Sequence, residues 1–160
     1  MPDRKPASLK ALDIEPRRGS NYPPDLARKV AGRDKRALGD PFGLDQFGVN
    51  HTTLAPGSAS AIRHYHRRED EFIYVLEGEI TLHNDDGEHL LTAGMCAGFK
   101  AGERNAHRLV NKSSRPATYL EIGTRSAEED VTYPDDDLKA VKTGGKYSFT
   151  RKDGKALQRG

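Results

Sequence analysis

From Gln46 to about Arg125 the chain is written in short runs of β-branched, aliphatic and aromatic residues. Glycine, aspartate or asparagine breaks these runs roughly every 8–12 residues, a texture that builds strands and turns rather than helices. Strands are predicted over 46–54, 58–66, 71–77, 79–84, 88–92, 96–100, 106–111 and 117–124. Asp85-Asp86-Gly87 is a hairpin turn that joins residues 80 and 91, and Ala101-Gly102 supplies a turn after Phe99. No segment recurs at a fixed period, which excludes a propeller or a solenoid. An all-β barrel, closed or made of two sheets, remains.

The flanks read differently. Residues 1–45 form an N-terminal arm rich in Pro, Arg, Lys and Asp, with a short helix expected at 24–31 behind Pro23-Pro24. It is too short and broken for a helix-turn-helix. Arg17, Arg18, Lys35 and Arg36 alternate with Asp13, Glu15 and Asp34, which reads as solvated surface. Residues 126–160 form a polar C-terminal extension with an acidic run at Asp135, Asp136 and Asp137. An extra strand or hairpin is expected over 147–157, turning at Asp153-Gly154, and the extension is expected to wrap the barrel or a neighbouring subunit.

With 160 residues, one core is the expectation, and the apolar residues are concentrated between Phe47 and Ile122. A formal net charge of +2 argues against nucleic acid as a partner. No apolar run reaches the roughly 20 residues of a membrane span, and the first ten residues lack the apolar stretch of a signal peptide. Cys96 is the only cysteine, so no intramolecular disulfide forms. A soluble protein of the reducing cytoplasm is the expectation.

Three of the six histidines carry the chemistry. His64 and His66 sit two apart on a predicted strand, so both imidazoles leave the same face. Glu71 opens the next strand after a charged turn, and His107 comes from a later strand. Three imidazoles and a carboxylate suit one divalent ion, Fe, Mn, Ni, Co or Zn, with room for a small molecule. Glu69 and Asp70 are rival carboxylates in the turn. His51, His83 and His89 read as structural or solvent-facing, and Cys96 as a packed thiol. Lys100 and Asn105 are candidates for substrate contact.

The stretch 57–78, GSASAIRHYHRREDEFIYVLEG, resembles the first cupin motif, in which a glycine precedes His-x-His, then four residues, Glu, six residues and Gly. The stretch 94–111, GMCAGFKAGERNAHRLVN, resembles the second, from its leading glycine to the His-x-x-x-Asn that ends it. Lys100 stands where the second motif has proline, and four residues rather than two separate Gly102 from His107. The first motif carries one extra residue before His64, which is expected to fall in a turn. The resemblance implies a cupin double-stranded β-helix, a jelly-roll barrel over 46–125. It places His64, His66, Glu71 and His107 at the four metal positions.

For function the resemblance leaves three classes open: a sugar-phosphate isomerase-like enzyme, a dioxygenase, or a non-enzymatic binder of a small ligand. The isomerase-like reading is preferred by analogy with small single-domain bacterial cupins. A homodimer is expected as well, because Phe72, Tyr74 and Leu76 alternate with the inward Ile73 and Val75, leaving an apolar outer face.

Overall fold

A computed structural model describes residues 5–157. Its strands lie in three sheets, and every pairing is antiparallel. The largest contains β1 (Arg17–Arg18), β2 (Arg33–Ala37), β3 (Phe47–Leu54), β5 (Glu71–Glu77), β8 (Cys96–Phe99) and β10 (Ala117–Thr124), in the order β1-β2-β3-β10-β5-β8. A three-stranded sheet has β6 (Glu79–Asn84) between β7 (Gly87–Thr92) and β9 (Arg108–Val110). A four-stranded sheet runs β13 (Lys146–Thr150), β12 (Lys139–Thr143), β11 (Glu129–Thr132) and β4 (Tyr65–His66). The result is a jelly roll and not a closed barrel.

Pairing registers fix what faces inward. Glu71 of β5, Gly123 of β10 and Gly48 of β3 stand in one row across the large sheet; Ile73, Glu121 and Asn50 stand in the next, and Val75, Tyr119 and Thr52 in the third. The inner face is thus polar at the Glu71 end and apolar at the other. At the apolar end Leu54, Val75, Ala117 and Tyr119 pack against Ile80, Leu82, Leu91 and Leu109 of the three-stranded sheet. The β6–β7 hairpin forms as expected, with Ile80 opposite Leu91 and Asn84 opposite Gly87.

Several expectations are corrected. The single core is two: Ile62, Val131, Tyr133, Leu138 and Ala140 form a second cluster, joined by Tyr22 and Leu26 of the arm. The arm is not merely solvated surface, since β2 pairs with β3 along its length. Its inward side chains, Arg33 and Lys35, are polar because they face a cavity, so no apolar alternation marked the strand. The expected helix shrinks to one turn, α1 (Pro24–Ala27), followed by a 3-10 turn over Arg28–Val30. In the extension the main hairpin joins β12 and β13 through Gly144-Gly145, and the Asp153-Gly154 turn brings Thr150 back to Ala156. Cys96 is exposed rather than packed, because Ala97 and Phe99 take the inward positions of β8.

The strand expected over 58–66 is also interrupted. Ala59 bridges Val110 and His64 bridges His107, so Ser60 to Arg63 bulge opposite Arg108 and Leu109. The extra residue of the first motif therefore lies in a bulge and not in a turn. The bulge sends Ile62 into the second cluster and lets the Ser60 hydroxyl accept the Leu109 N–H at 2.9 Å.

The tight step from β5 to β6 rests on Gly78, whose φ is +80° and whose absent Cβ would lie 2.9 Å from the Pro116 carbonyl oxygen. Gly78→Ala is expected to destabilise the protein by about 1–3 kcal/mol in urea unfolding. Gly57→Ala, at the same handedness but with open space around it, should cost less.

Candidate metal centre

Of the four residues singled out from the sequence, His66 and Glu71 come from two sheets, and His64 and His107 form a bridge just before β4 and β9. His64 and His107 form a reciprocal backbone pair, with His64 N–H donating to His107 C=O at 3.1 Å and His107 N–H to His64 C=O at 2.8 Å. This pair ties the strand leading into β4 to the strand entering β9. His66 lies on β4, opposite Val131, and Glu71 comes from the large sheet.

The side chains converge. Glu71 Oε2 is 2.7 Å from His107 Nε2 and 3.7 Å from His64 Nε2, while Glu71 Oε1 is 3.4 Å from His66 Nε2. His64, His66 and Glu71 have ligand atoms all within 4.8 Å of one another, and His107 joins through its contact with Glu71. A divalent ion with ligands at about 2.0–2.2 Å places neighbouring ligand atoms roughly 3 Å apart, close to these spacings.

Each ring is held by its outer nitrogen or its face. His64 Nδ1–H donates to the Ile62 carbonyl at 2.7 Å, which leaves Nε2 as a lone pair turned inward. The outer nitrogen of His66 is buried and faces the Oε2 atoms of Glu69 at 3.8 Å and Glu129 at 3.6 Å. The Phe99 ring stacks on His107 with centroids 3.5 Å apart and planes 5° from parallel.

Proton affinities follow from this crowding. Burial by itself would raise the Glu71 carboxyl, but hydrogen bonds from His107, His64 and His66 outweigh it and hold the group well below the usual range. Burial opposes protonation of His66, yet the carboxylates of Glu71, Glu69 and Glu129 prevail and raise its pKa. Burial dominates at His107 and lowers its pKa despite Glu71. Three imidazoles turned toward one ionised carboxylate make a cation-seeking set. The donor chemistry fits a divalent ion.

A second cluster, His66, Glu69 and Glu129, also has its ligand atoms within 4.8 Å. Its carboxylates are already engaged. Glu69 Oε1 binds the Lys142 ammonium and accepts the Ser126 N–H, and Glu129 accepts the N–H groups of Arg67, Arg68 and Asp130. A lysine in the cluster acts as its cation. Asp70 points elsewhere and caps the Ala101 N–H at 2.8 Å.

The site opens on a cavity of about 390 Å³ lined by His64, His66 and Glu71, and also by residues that the sequence did not single out. Tyr133, Lys142 and Tyr147 come from the extension, Tyr22 and Arg33 from the arm, and Glu121 from β10. Their only trace in the sequence is polar alternation, which resembles surface. Lys100 and Asn105 line a smaller cavity of about 110 Å³ that borders His66, Glu71 and His107. The Asn105 amide is held by the β6–β7 turn, accepting the Asp85 N–H at 2.9 Å and donating to Asp86 Oδ2 at 3.1 Å. His51, His83 and His89 line neither cavity.

The sequence matches the Cupin domain family over residues 50–123. A sugar phosphate isomerase from a cupin superfamily of Silicibacter pomeroyi shares 45% identity, with 94% of this chain and 96% of that chain covered at a TM-score of 0.90. The chain belongs to the cupin superfamily. A protein of Acidithiobacillus ferrooxidans assigned as a sugar phosphate isomerase shares 27% identity over 80% of this chain and 81% of its own, at a TM-score of 0.71. The polyketide cyclase RemF of Streptomyces resistomycificus shares 22% identity over 73% of this cupin and 78% of its own chain, and its TM-score of 0.60 reflects the fold alone. No curated protein sequence matches this cupin.

Glu71→Gln keeps the shape and removes the only carboxylate of the candidate ligand set, so metal content by mass spectrometry should fall at least as far as in His64→Ala, with an unchanged circular dichroism spectrum. Glu129→Gln leaves the four candidate ligands in place but weakens the hold on His66, and metal affinity should drop about 10–100-fold. Protons compete with metal at His66, whose pKa is raised, so affinity should begin to fall on acidification at a pH above the ordinary histidine value. An isothermal titration series between pH 5 and 8 checks the sign.

Proposed function

We propose that this cupin is a metal-dependent isomerase acting on a small, hydroxyl-rich molecule of the sugar-phosphate class. The observation that carries the reading is the convergence of His64, His66, His107 and Glu71 beside a cavity whose volume, about 390 Å³, suits a small metabolite. The 45%-identical sugar phosphate isomerase, aligned over nearly the whole of both chains, supports it.

The four ligands would hold one divalent ion, which supplies Lewis acidity toward substrate oxygens when bound. The chain's own groups do the rest. Burial raises the phenols of Tyr22 and Tyr133, so both stay protonated; the Tyr133 hydroxyl donates to Tyr22, which leaves the Tyr22 hydroxyl to donate to a substrate oxygen from the cavity wall. The His66 ring stays fixed because Glu69 and Glu129 sit behind it.

We also propose a homodimer. Phe72, Tyr74 and Leu76 on the outer face of β5 are each about 40% exposed, and Ile122 stands opposite Phe72. Light scattering at micromolar concentration should give twice the 17.7 kDa chain mass, and Tyr74→Asp should give a folded monomer. A wild-type monomer overturns the dimer.

Activity is tested by incubating the metal-loaded protein with a panel of aldose and ketose phosphates and following the interconversion by proton NMR. Turnover of at least one pair is expected, lost in Glu71→Gln. Oxygen uptake with catechols, diols or thiols, and no isomerisation, would contradict the reading.

A further inference from the structure

We propose that the cavity carries an anion-binding subsite separate from the metal centre, built by Arg33 and Arg17 of the N-terminal arm, which holds the phosphate or carboxylate of a substrate. The link to a substrate rests on the isomerase reading; the anion site itself does not.

Arg33 carries an unbalanced charge. This residue lines the same cavity as His64, His66 and Glu71. Its terminal nitrogens donate to the backbone carbonyls of Ser60 and Gly19, the latter at 3.0 Å, which fixes the guanidinium plane without neutralising it. Its Nε is buried and has no acceptor. No carboxylate of the described residues pairs with it. A half-buried guanidinium without an anion is a costly arrangement, and one with its orientation already set is matched to a planar or tetrahedral oxyanion.

Strand register adds a second cation. Arg17 stands opposite Lys35 in the β1–β2 pair, and Lys35 lies two residues from Arg33, so the three side chains share the cavity face. The adjacent Arg18 turns to the other face and pairs with Asp34 at 3.2 Å. Arg17 has no ion-pair partner among the described residues. The other cations of the cavity are engaged: Lys35 with Glu121 at 2.8 Å, Arg125 with Asp40 at 3.2 Å, and Lys142 with Glu69. Arg33 and Arg17 are the two left with unbalanced charge.

Both residues lie outside the segment that matches the Cupin domain family, residues 50–123. The barrel thus supplies the metal ligands and the arm supplies the anion site. A substrate that spans the two has an anionic group at one end and hydroxyl or carbonyl oxygens at the other.

The test is calorimetric titration of inorganic phosphate into the metal-loaded protein, into the chelator-stripped protein, and into the variants Arg17→Met, Arg33→Met and Arg125→Met. Wild type should bind phosphate with and without metal. Arg17→Met and Arg33→Met should each weaken binding about tenfold or more, and Arg125→Met should bind like wild type. Because Arg17 is exposed and unpaired, its variant keeps the fold and reads the charge alone. Absence of phosphate binding by wild type, unchanged binding in Arg17→Met, or binding that vanishes when metal is stripped would each overturn the proposal. Phosphate binding as expected, with no sugar phosphate turned over, would leave this subsite standing and remove the isomerase reading.

Discussion

The backbone pair between His64 and His107 is the constraint on which the rest of the centre depends. Two hydrogen bonds at 2.8 and 3.1 Å join segments that belong to different sheets, and they do so at the very residues whose side chains meet inside. Opposed residues of an antiparallel pair present side chains to the same face, so fixing this one bridge delivers two imidazoles at once. The bulge at Ser60 to Arg63 follows from it, because the chain must absorb extra residues between the Ala59 and His64 bridges. His66 then follows by parity, and Glu71 is presented from the large sheet beside the tightly packed Gly123 row.

Electrostatics completes what geometry begins. A buried carboxylate among three imidazoles is stable only if the imidazoles lend it positive character or a cation stands between them. The outer atoms of the rings suit the cation. Hydrogen bonding of His64 Nδ1 to the Ile62 carbonyl turns its other nitrogen inward as a lone pair, and the carboxylates of Glu69 and Glu129 attract a proton to the outer nitrogen of His66. Glu129 belongs to the extension, so the tail contributes to the centre through β11 and its pairing with β4. The extension thus places a carboxylate behind a candidate ligand.

Legibility in the sequence tracked local periodicity. Strands β5, β6 and β10 were readable to the residue because their alternation is apolar on at least one face, and Gly78 and Asp85-Asp86-Gly87 mark the ends of β5 and β6. The convergence of His64, His66 and Glu71 was legible because parity on one strand and spacing to Glu71 are local facts, whereas His107 came from the resemblance of 94–111 to the second cupin motif. What escaped was non-local or polar. Strand β2 alternates Arg33, Lys35 and Ala37 inward, which looks like a solvated arm until β3 is beside it. Glu129 and Lys142 are buried charges whose main partners, the Arg67 and Arg68 N–H groups and the Glu69 carboxylate, lie more than 60 residues away in the chain. The exposure of Cys96 turned on which parity of β8 faces the core, a choice settled by Ala97 and Phe99 and not by the cysteine's own neighbours.

Whether one divalent ion sits among His64, His66, Glu71 and His107 is tested most directly by anomalous diffraction from crystals of the metal-loaded protein, collected at the absorption edge of the bound element. A single strong peak within about 2.0–2.3 Å of the inward imidazole nitrogens and of Glu71 is the predicted result. A peak on the other side of His66, between its outer nitrogen, Glu69 and Glu129, would contradict it.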